Sequence, residues 1–189
     1  MSCRRFAFFI SVLSLCLLSV AQDKSRDFKI DNDFVKKQFG SSCKLIEGEQ
    51  PMLADMDGDG VEDLVLAARC TNPMADQSEH EFTVLDPYYT FYGYGNPKIT
   101  TGFVADTPET KGIVVLVIHG QGIESWHNPK EKFVLINLSF KDISVKKMML
   151  KKKKIMAIYT QETDGNQSVA AIFWDGKKYR YEPMGSSLE

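Results

Sequence analysis

The stretch Asp55-Met56-Asp57-Gly58-Asp59-Gly60-Val61-Glu62-Asp63 places five acidic side chains within nine residues. Without a cation, carboxylates this close together would repel one another. The first three aspartates alternate, so their carboxylates can turn toward one hard cation, and the two glycines permit a tight bend. Calcium takes roughly 6–8 oxygen ligands, which one short segment can supply. We therefore interpret the stretch as a calcium loop; the alternative is a solvated turn rich in Asp and Gly.

The sequence on either side of the loop decides between two kinds of calcium site. An EF-hand requires a bidentate glutamate at the twelfth loop position and a helix on each side. Counted from Asp55, the twelfth residue is Leu66, whose side chain has no ligand atom. Residues 51–54 before the loop and residues 64–68 after it are short apolar runs of strand length. The loop is therefore predicted to connect two strands.

A calcium loop between two strands, followed by Asp63-Leu64-Val65-Leu66-Ala67-Ala68, resembles the FG-GAP/VCBS repeats of integrin-type propellers. The resemblance covers residues 52–69. Carried over by position, it implies as ligands the carboxylates of Asp55, Asp57, Asp59 and Asp63 and the main-chain carbonyl of Val61. A complete propeller is not expected, because each blade takes about 40–60 residues and no internal repeat is visible. What the resemblance implies is the metal-binding hairpin and not the adhesion function.

Residues 1–21 are predicted to be a signal peptide. Arg4 and Arg5 precede an apolar run from Phe6 to Val20, and small residues stand before a cleavage site at Ala21. An uncleaved membrane anchor is the alternative, although this run is short for a span, which takes about 20 residues. We expect residues 22–189 to form a single secreted or periplasmic domain, with no stable membrane span after cleavage.

The charge of the predicted mature chain excludes one class of partner. The formal net charge of the whole sequence is −2, and cleavage would remove two arginines and no acid. The resulting domain is mildly acidic. It lacks the general excess of positive charge that favours nucleic-acid binding, so no nucleic-acid partner is predicted.

The four cysteines are consistent with export. Cys3 and Cys16 lie in the predicted signal peptide, which leaves Cys43 and Cys70 as a pair. In an oxidising compartment this pair is expected to form one disulfide that encloses the calcium loop. Two buried free thiols are the alternative.

The remaining pattern predicts a mainly β domain of the α+β class. We expect an antiparallel sheet of about 8–10 short strands with one N-terminal helix, and not a complete propeller. The helix is predicted over Asn32 to Phe39, with Asp31 as its cap and Gly40 at its end. Ile113 to Ile118 is a continuous apolar run, which indicates a central strand.

Two further segments define a second functional hypothesis. Tyr88 to Tyr94 contains five aromatic residues in seven, which can stack on a ligand or cover a core. His119-Gly120-Gln121-Gly122 follows a predicted strand and is similar to the oxyanion loop of esterases and lipases. A secreted hydrolase using His119 and residues 88–94 is therefore one alternative function. No G-x-S-x-G motif occurs in the sequence, so no catalytic residue is assigned.

Lysine is concentrated between Lys146 and Lys154, where six lysines occur in nine residues. A tract of this kind can bind anionic lipid or polysaccharide. It is also typical of a solvated hairpin end that lysine protects against pairing with another chain. An envelope-associated protein that binds anionic polymers through Lys146 to Lys154 is the other alternative function.

The leading hypothesis is a secreted, calcium-stabilised β domain with a structural or binding role. Ca²⁺ is its predicted cofactor. An extracellular glycan or protein is the kind of partner that such a domain would bind.

Overall fold

The computed structural model describes residues 29–93, 110–161 and 168–186. The predicted signal peptide, residues 1–21, and Tyr94 of the aromatic segment lie outside the described residues. Within those ranges, no helix has both the length and the apolar character that crossing a membrane requires.

Strands make up 47% of the described chain, with short helices between them. The helices are α1 (Asn32–Phe39), α2 (Gln77–His80), α3 (Pro87–Phe91) and a 3-10 helix (Gly122–His127). The strands are β1 (Cys43–Leu45), β2 (Met52–Ala54), β3 (Asp63–Cys70), β4 (Thr83–Leu85), β5 (Ile113–Gly120), β6 (Pro129–Leu135), β7 (Asp142–Leu150), β8 (Lys153–Gln161), β9 (Ser168–Trp174) and β10 (Tyr179–Ser186).

The described strands form a six-stranded sheet and a four-stranded sheet. The six-stranded sheet has the order β1-β3-β5-β6-β4. The sixth strand, β2, also pairs with β3, along the same edge as β1 and opposite the edge that pairs with β5. The four-stranded sheet is the meander β10-β9-β8-β7. The predicted mainly β fold is confirmed, and neither sheet closes into a barrel or a propeller.

The structure departs from the sequence prediction in several details. Within the described ranges, two sheets are present where one was expected, and three helices follow the predicted N-terminal helix. The pair β4 and β6 is parallel, whereas the other pairs are antiparallel. The aromatic segment begins with a helix, α3, that was not predicted. Pro87 at the first turn of α3 has no N–H to satisfy, and the Asp86 carboxylate accepts a hydrogen bond from the Tyr89 N–H at 2.9 Å. These are two features that start a helix.

The N-terminal helix forms where the sequence predicts it. The Asp31 carboxylate accepts hydrogen bonds from the N–H groups of Asp33 at 3.1 Å and Phe34 at 3.0 Å. Two otherwise unpaired donors of the first turn are therefore satisfied. At the other end, Gly40 has a φ of 84°, a conformation that glycine adopts without the cost that a Cβ atom brings.

β5 lies at the centre of the six-stranded sheet and is buried along its whole length. Val114, Leu116 and Ile118 pack on one face, in a core shared with α1 and the 3-10 helix. Val115 and Val117 pack on the opposite face, against the four-stranded sheet. A strand covered on both sides needs apolar residues at every position, which explains the continuous apolar run.

The same alternation positions two polar residues. Leu64 of β3 lies opposite Ile118 of β5, so Asp63 and His119 follow at the same end of the two strands. Because successive side chains point to opposite faces, both share the face that packs against the four-stranded sheet. Asp63, His119 and Thr160 are the buried polar or charged residues within the described part of the chain.

The predicted disulfide between Cys43 and Cys70 is present. The two residues lie directly opposite each other in the pairing of β1 with β3. The bond closes a loop that contains β2 and the acidic stretch. The two cysteines are 27 residues apart in the sequence. A disulfide across a loop of this length lowers the entropy of the unfolded chain and thereby stabilises the folded protein by about 3–4 kcal/mol.

The lysine tract forms the hairpin between β7 and β8. Leu150 pairs with Lys153, so Lys151 and Lys152 are a two-residue loop. Their φ angles are 46° and 71°. Two-residue loops favour the turn with positive φ at both positions, for which Asn-Gly is well suited and lysine is not.

Replacing Lys151→Asn together with Lys152→Gly is therefore expected to stabilise the protein. Relief of the left-handed backbone at both positions predicts an increase of about 1–2 kcal/mol in the free energy of unfolding. Urea denaturation measures the change. The double variant Lys151→Ala and Lys152→Ala removes the same charges without relieving the backbone, and an equal gain in that control would contradict the explanation.

Candidate metal centre

The acidic loop connects β2 to β3 and is folded around the carboxylate of Asp55. Its Oδ1 accepts hydrogen bonds from the N–H groups of Gly58 at 2.8 Å and Asp59 at 3.1 Å, and its Oδ2 accepts one from Gly60 at 3.0 Å. Gly58 and Gly60 both have positive φ, 78° and 87°. The alternation of aspartate and glycine thus gives the loop its own internal hydrogen bonds.

Asp63 ties this loop to the centre of the six-stranded sheet. Its side chain is fully buried. Its Oδ2 accepts hydrogen bonds from the N–H groups of Met56 at 2.7 Å and Asp57 at 3.4 Å, while its Oδ1 accepts one from Gly120 at 2.8 Å. One carboxylate therefore holds the start of the loop and the end of β5 together.

Gly120 is required at this position by the close approach of three segments. A Cβ atom added there would lie 2.3 Å from the carbonyl carbon of Ser125 and 2.6 Å from the carbonyl oxygen of Glu62. No real side chain tolerates main-chain atoms at such distances. The glycine allows the 3-10 helix and the acidic loop to close over the end of β5.

Three of the predicted ligands come together in the structure. Asp55, Asp57 and Asp63 each offer a carboxylate oxygen, and these oxygens all lie within 4.8 Å of one another. Oxygens around one calcium ion, each about 2.3–2.6 Å from it, lie at separations of this size. The arrangement could therefore hold a metal ion.

Asp59, the fourth carboxylate of the predicted set, is not part of this cluster. The Asp59 carboxylate accepts a hydrogen bond from the Val61 N–H at 2.8 Å, and its second oxygen lies 3.3 Å from the Lys130 ammonium. The hydrogen bond from the Val61 N–H lowers the pKa of Asp59 below its usual value, and the positive charge of Lys130 acts in the same direction. Desolvation opposes both effects. The roles of Asp59 and of the Val61 carbonyl as ligands stay predictions.

A cationic side chain already lies beside the loop. The Lys130 ammonium, at the start of β6, donates hydrogen bonds to Asp57 at 3.1 Å and to Asp59 at 3.3 Å. These two carboxylates raise the pKa of Lys130 above its usual value. The loop thus attracts positive charge from a residue far away in the sequence.

His119 lies under the loop as a buried, neutral side chain. Its Nε2 is 2.7 Å from the Tyr179 hydroxyl. Its Nδ1 has no hydrogen-bond partner and is 3.7 Å from an Asp57 carboxylate oxygen. Burial lowers the pKa of His119 to about 4. The tautomer that suits both neighbours accepts from the Tyr179 hydroxyl at Nε2 and carries its proton on Nδ1, facing Asp57.

The pKa of Asp63 reflects the same burial. Desolvation raises the pKa of this carboxyl to about 6, although the N–H groups of Gly120 and Met56 act in the opposite direction. The nearby charge of Asp57 raises it further. A cation among these carboxylates would favour their ionised forms. A metal ion and this donor set are therefore electrostatically suited to each other.

The geometry around His119 gives the hydrolase hypothesis no support. A general base must reach the proton that it removes, but the His119 side chain is fully buried against Phe133, Trp174 and Tyr179. An oxyanion loop needs free N–H donors, and the Gly120 N–H is already bonded to Asp63.

The aromatic segment divides between core and surface. The Tyr88 ring packs edge-on against Tyr181 of the four-stranded sheet, with ring centres 5.2 Å apart. The side chains of Phe91 and Tyr92 are 45% and 48% exposed. Part of the segment therefore covers the core, and part is available to contact a ligand.

The sequence did not indicate that three residues, one of them His119, lie around the loop. Lys130, His119 and Tyr179 reach it only through the pairing of β5 with β3 and β6 and through the packing of the two sheets. His119 was considered for a different role, in a hydrolase. The features that drew attention to it were the His119-Gly120-Gln121-Gly122 motif and its position at the end of a buried strand.

Replacing Asp63→Ala is expected to destabilise the protein by about 2–4 kcal/mol even without a divalent cation. The substitution leaves the buried N–H groups of Met56 and Gly120 without acceptors, at about 1–3 kcal/mol each, partly offset by removal of a buried charge. Urea denaturation in EGTA at pH 8 measures the loss. The exposed neighbour Glu62→Ala is the control, with an expected change within about 0.5 kcal/mol. Equal stabilities of the two variants would refute the structural role of Asp63.

Comparisons of the chain with protein-family models, curated proteins and solved structures found no match. The resemblance of residues 52–69 to FG-GAP/VCBS repeats therefore stays a prediction from the motif. A proposal about function has to rest on the geometry of the acidic loop and its surroundings.

Proposed function

We propose that this protein is a secreted calcium-binding β domain in which the ion stabilises the connection between β2 and β3. The observation that carries the proposal is the convergence of oxygens from Asp55, Asp57 and Asp63 within 4.8 Å. The apolar N-terminal segment and the disulfide support export, because disulfides persist in oxidising compartments. The role of the domain would be structural or recognition of an extracellular partner.

The donor set favours calcium over other common divalent ions. The converging groups are all carboxylates, whereas zinc prefers nitrogen and sulfur ligands. They come from one short loop with internal hydrogen bonds. Magnesium dehydrates reluctantly and is rarely held by ligands from protein alone. The Val61 carbonyl and Asp59, as predicted from the sequence, could complete the calcium shell.

The contact between His119 and Asp57 is compatible with a metal ion in the loop. The buried Nδ1 of His119 has no hydrogen-bond partner and lies 3.7 Å from an Asp57 carboxylate oxygen. A small movement of Asp57 toward an ion in the loop is compatible with that contact, because no short hydrogen bond to His119 has to break.

Calcium is expected to raise the melting temperature of the wild-type protein by about 5–10 °C. At 100-fold excess over the dissociation constant, an ion that binds only the folded state adds about 2.7 kcal/mol, which corresponds to such a shift for a domain of this size. Magnesium should do much less. Differential scanning fluorimetry in calcium, magnesium and EGTA measures the three values.

Two substitutions distinguish a specific site from general screening of negative charge. Asp57→Asn keeps the shape of a converging ligand but removes its charge, so most of the calcium effect should be lost. Glu62→Gln removes the same charge from an exposed side chain in the same loop, and the calcium effect should stay. Coinciding melting curves in calcium and EGTA for the wild type would disprove calcium binding.

Removing the Lys130 ammonium should tighten calcium binding. In the Lys130→Met variant the carboxylates of Asp57 and Asp59 no longer have a competing cation, so the calcium dissociation constant should fall about threefold to tenfold. Protein without calcium should become less stable, since the acidic loop loses its neutralising partner. Calcium titration calorimetry measures the affinity. Lys44→Met, an exposed position on β1, is the control; weaker calcium binding in Lys130→Met would contradict the assigned competition.

A further inference from the structure

A cleft of about 1100 Å³ borders the acidic loop on the side of the four-stranded sheet. It lies between β2, α3, the hairpin of β7 and β8, and the turn between β9 and β10. The cleft therefore brings together two features that appear unrelated in the sequence, the aromatic segment and the lysine tract. Clefts of roughly 300–1,000 Å³ are large enough to bury most of a drug-sized ligand.

The wall of this cleft is largely apolar. Six of its apolar side chains come from five separate elements: Leu53, Phe91, Leu150, Ile155, Met156 and Trp174. Leu53 is 48% exposed and Phe91 is 45% exposed, so both present hydrocarbon to solvent. Contiguous exposed apolar surface of this kind marks a binding site more often than scattered single residues do.

Its rim carries cations whose charges are not neutralised within the described residues. Lys147, Lys151, Lys153 and Lys154 line the cleft and are exposed. None of these four lysines forms an ion pair in ranges 29–93, 110–161 and 168–186. Lys151 is also held in a left-handed conformation that disfavours lysine.

The acidic residues of the cleft are mostly engaged elsewhere. Asp57 is hydrogen-bonded to Lys130, Asp55 accepts three hydrogen bonds from loop N–H groups, and Asp175 pairs with Arg180. Glu182 is the acid of the lining for which no such bond is present in the described part of the chain. On the side of the β7–β8 hairpin, the charge available to a ligand is therefore positive.

We infer that this cleft binds a long-chain fatty acid, with the hydrocarbon on the apolar wall and the carboxylate among the lysines of the hairpin. An acidic glycan fits less well. The described lining has no Asn, Gln, Ser or Thr side chain, so sugar hydroxyl groups would find few neutral hydrogen-bond partners. Aliphatic and thioether side chains such as Leu150, Ile155 and Met156 suit a flexible hydrocarbon chain. The inference does not require calcium binding, although Asp55 and Asp57 of the proposed calcium site also line the cleft.

The position of Trp174 allows a direct test by contact quenching. The chain has two tryptophans; Trp174 lines the cleft, whereas Trp126 is buried in the core on the far side of the six-stranded sheet. Titration of the protein in EGTA with 9,10-dibromostearate, below its critical micelle concentration, should give saturable quenching. In Trp174→Phe, the remaining emission should be quenched at least fivefold less. Absence of saturable quenching, or equal quenching in both proteins, would overturn the proposal.

The charge of the rim is tested with matched variants. The triple change Lys151→Gln, Lys153→Gln and Lys154→Gln should raise the dissociation constant for dibromostearate at least tenfold. The triple change Lys36→Gln, Lys37→Gln and Lys44→Gln removes equal charge from exposed positions on α1 and β1 and should change it less than twofold. Melting temperatures confirm that each variant is folded.

Two further ligands decide between a fatty acid and other occupants. The methyl ester of dibromostearate, which lacks the charge, should bind at least tenfold more weakly than the acid. Polygalacturonate should neither bind with comparable affinity nor displace the fatty acid. Equal binding of acid and ester refutes the role of the lysines, and polygalacturonate binding without fatty-acid quenching assigns the cleft to a glycan instead. Because every titration is made in EGTA, failure here leaves the calcium proposal untouched, and the reverse also holds.

Discussion

The buried carboxylate of Asp63 is the contact on which the arrangement of the acidic loop depends. It accepts hydrogen bonds from Met56 at the beginning of the loop and from Gly120 at the end of β5. Burying a carboxylate is unfavourable unless it is well hydrogen-bonded or paired with a cation, and desolvation raises the pKa of this one to about 6. The three N–H donors provide the hydrogen bonds. A cation beside Asp55 and Asp57 would provide the charge.

This contact also explains how a short hairpin becomes part of a larger core. β2 has three residues and would not be stable as one strand of an isolated hairpin. The disulfide joins β1 to one end of β3, and Asp63 joins the loop to β5 at the other end. The four-stranded sheet then covers the same face, where Tyr179 contacts His119. The acidic loop is thereby fixed on one side and open to solvent on the other.

The sequence was sufficient for features set by neighbouring residues. The alternation of Asp55, Asp57 and Asp59 with glycine predicted the loop, and the capping residue Asp31 predicted α1. The apolar run of β5 predicted a strand covered on both faces. Each of these signals lies within about ten residues of chain, where local geometry dictates the pattern.

Features that depend on distant pairing could not be predicted in this way. Lys130 lies 73 residues from Asp57, and nothing near Lys130 indicates that its ammonium reaches the acidic loop. The parallel pairing of β4 with β6 follows from tertiary packing and not from either strand alone. Likewise, Phe91 and Lys151 belong to segments with separate patterns, and only the fold places both at one cleft.

The central claim is that the acidic loop holds one calcium ion between carboxylates that the fold brings together. Equilibrium dialysis of the protein against radioactive calcium, after removal of bound metal with a chelator, measures this binding. The account predicts saturable binding of one ion per chain, with a dissociation constant at or below about 10⁻³ M, as is usual for extracellular modules. Binding that fails to saturate, or no binding in the millimolar range, would contradict the account and leave the loop as an acidic turn neutralised by Lys130.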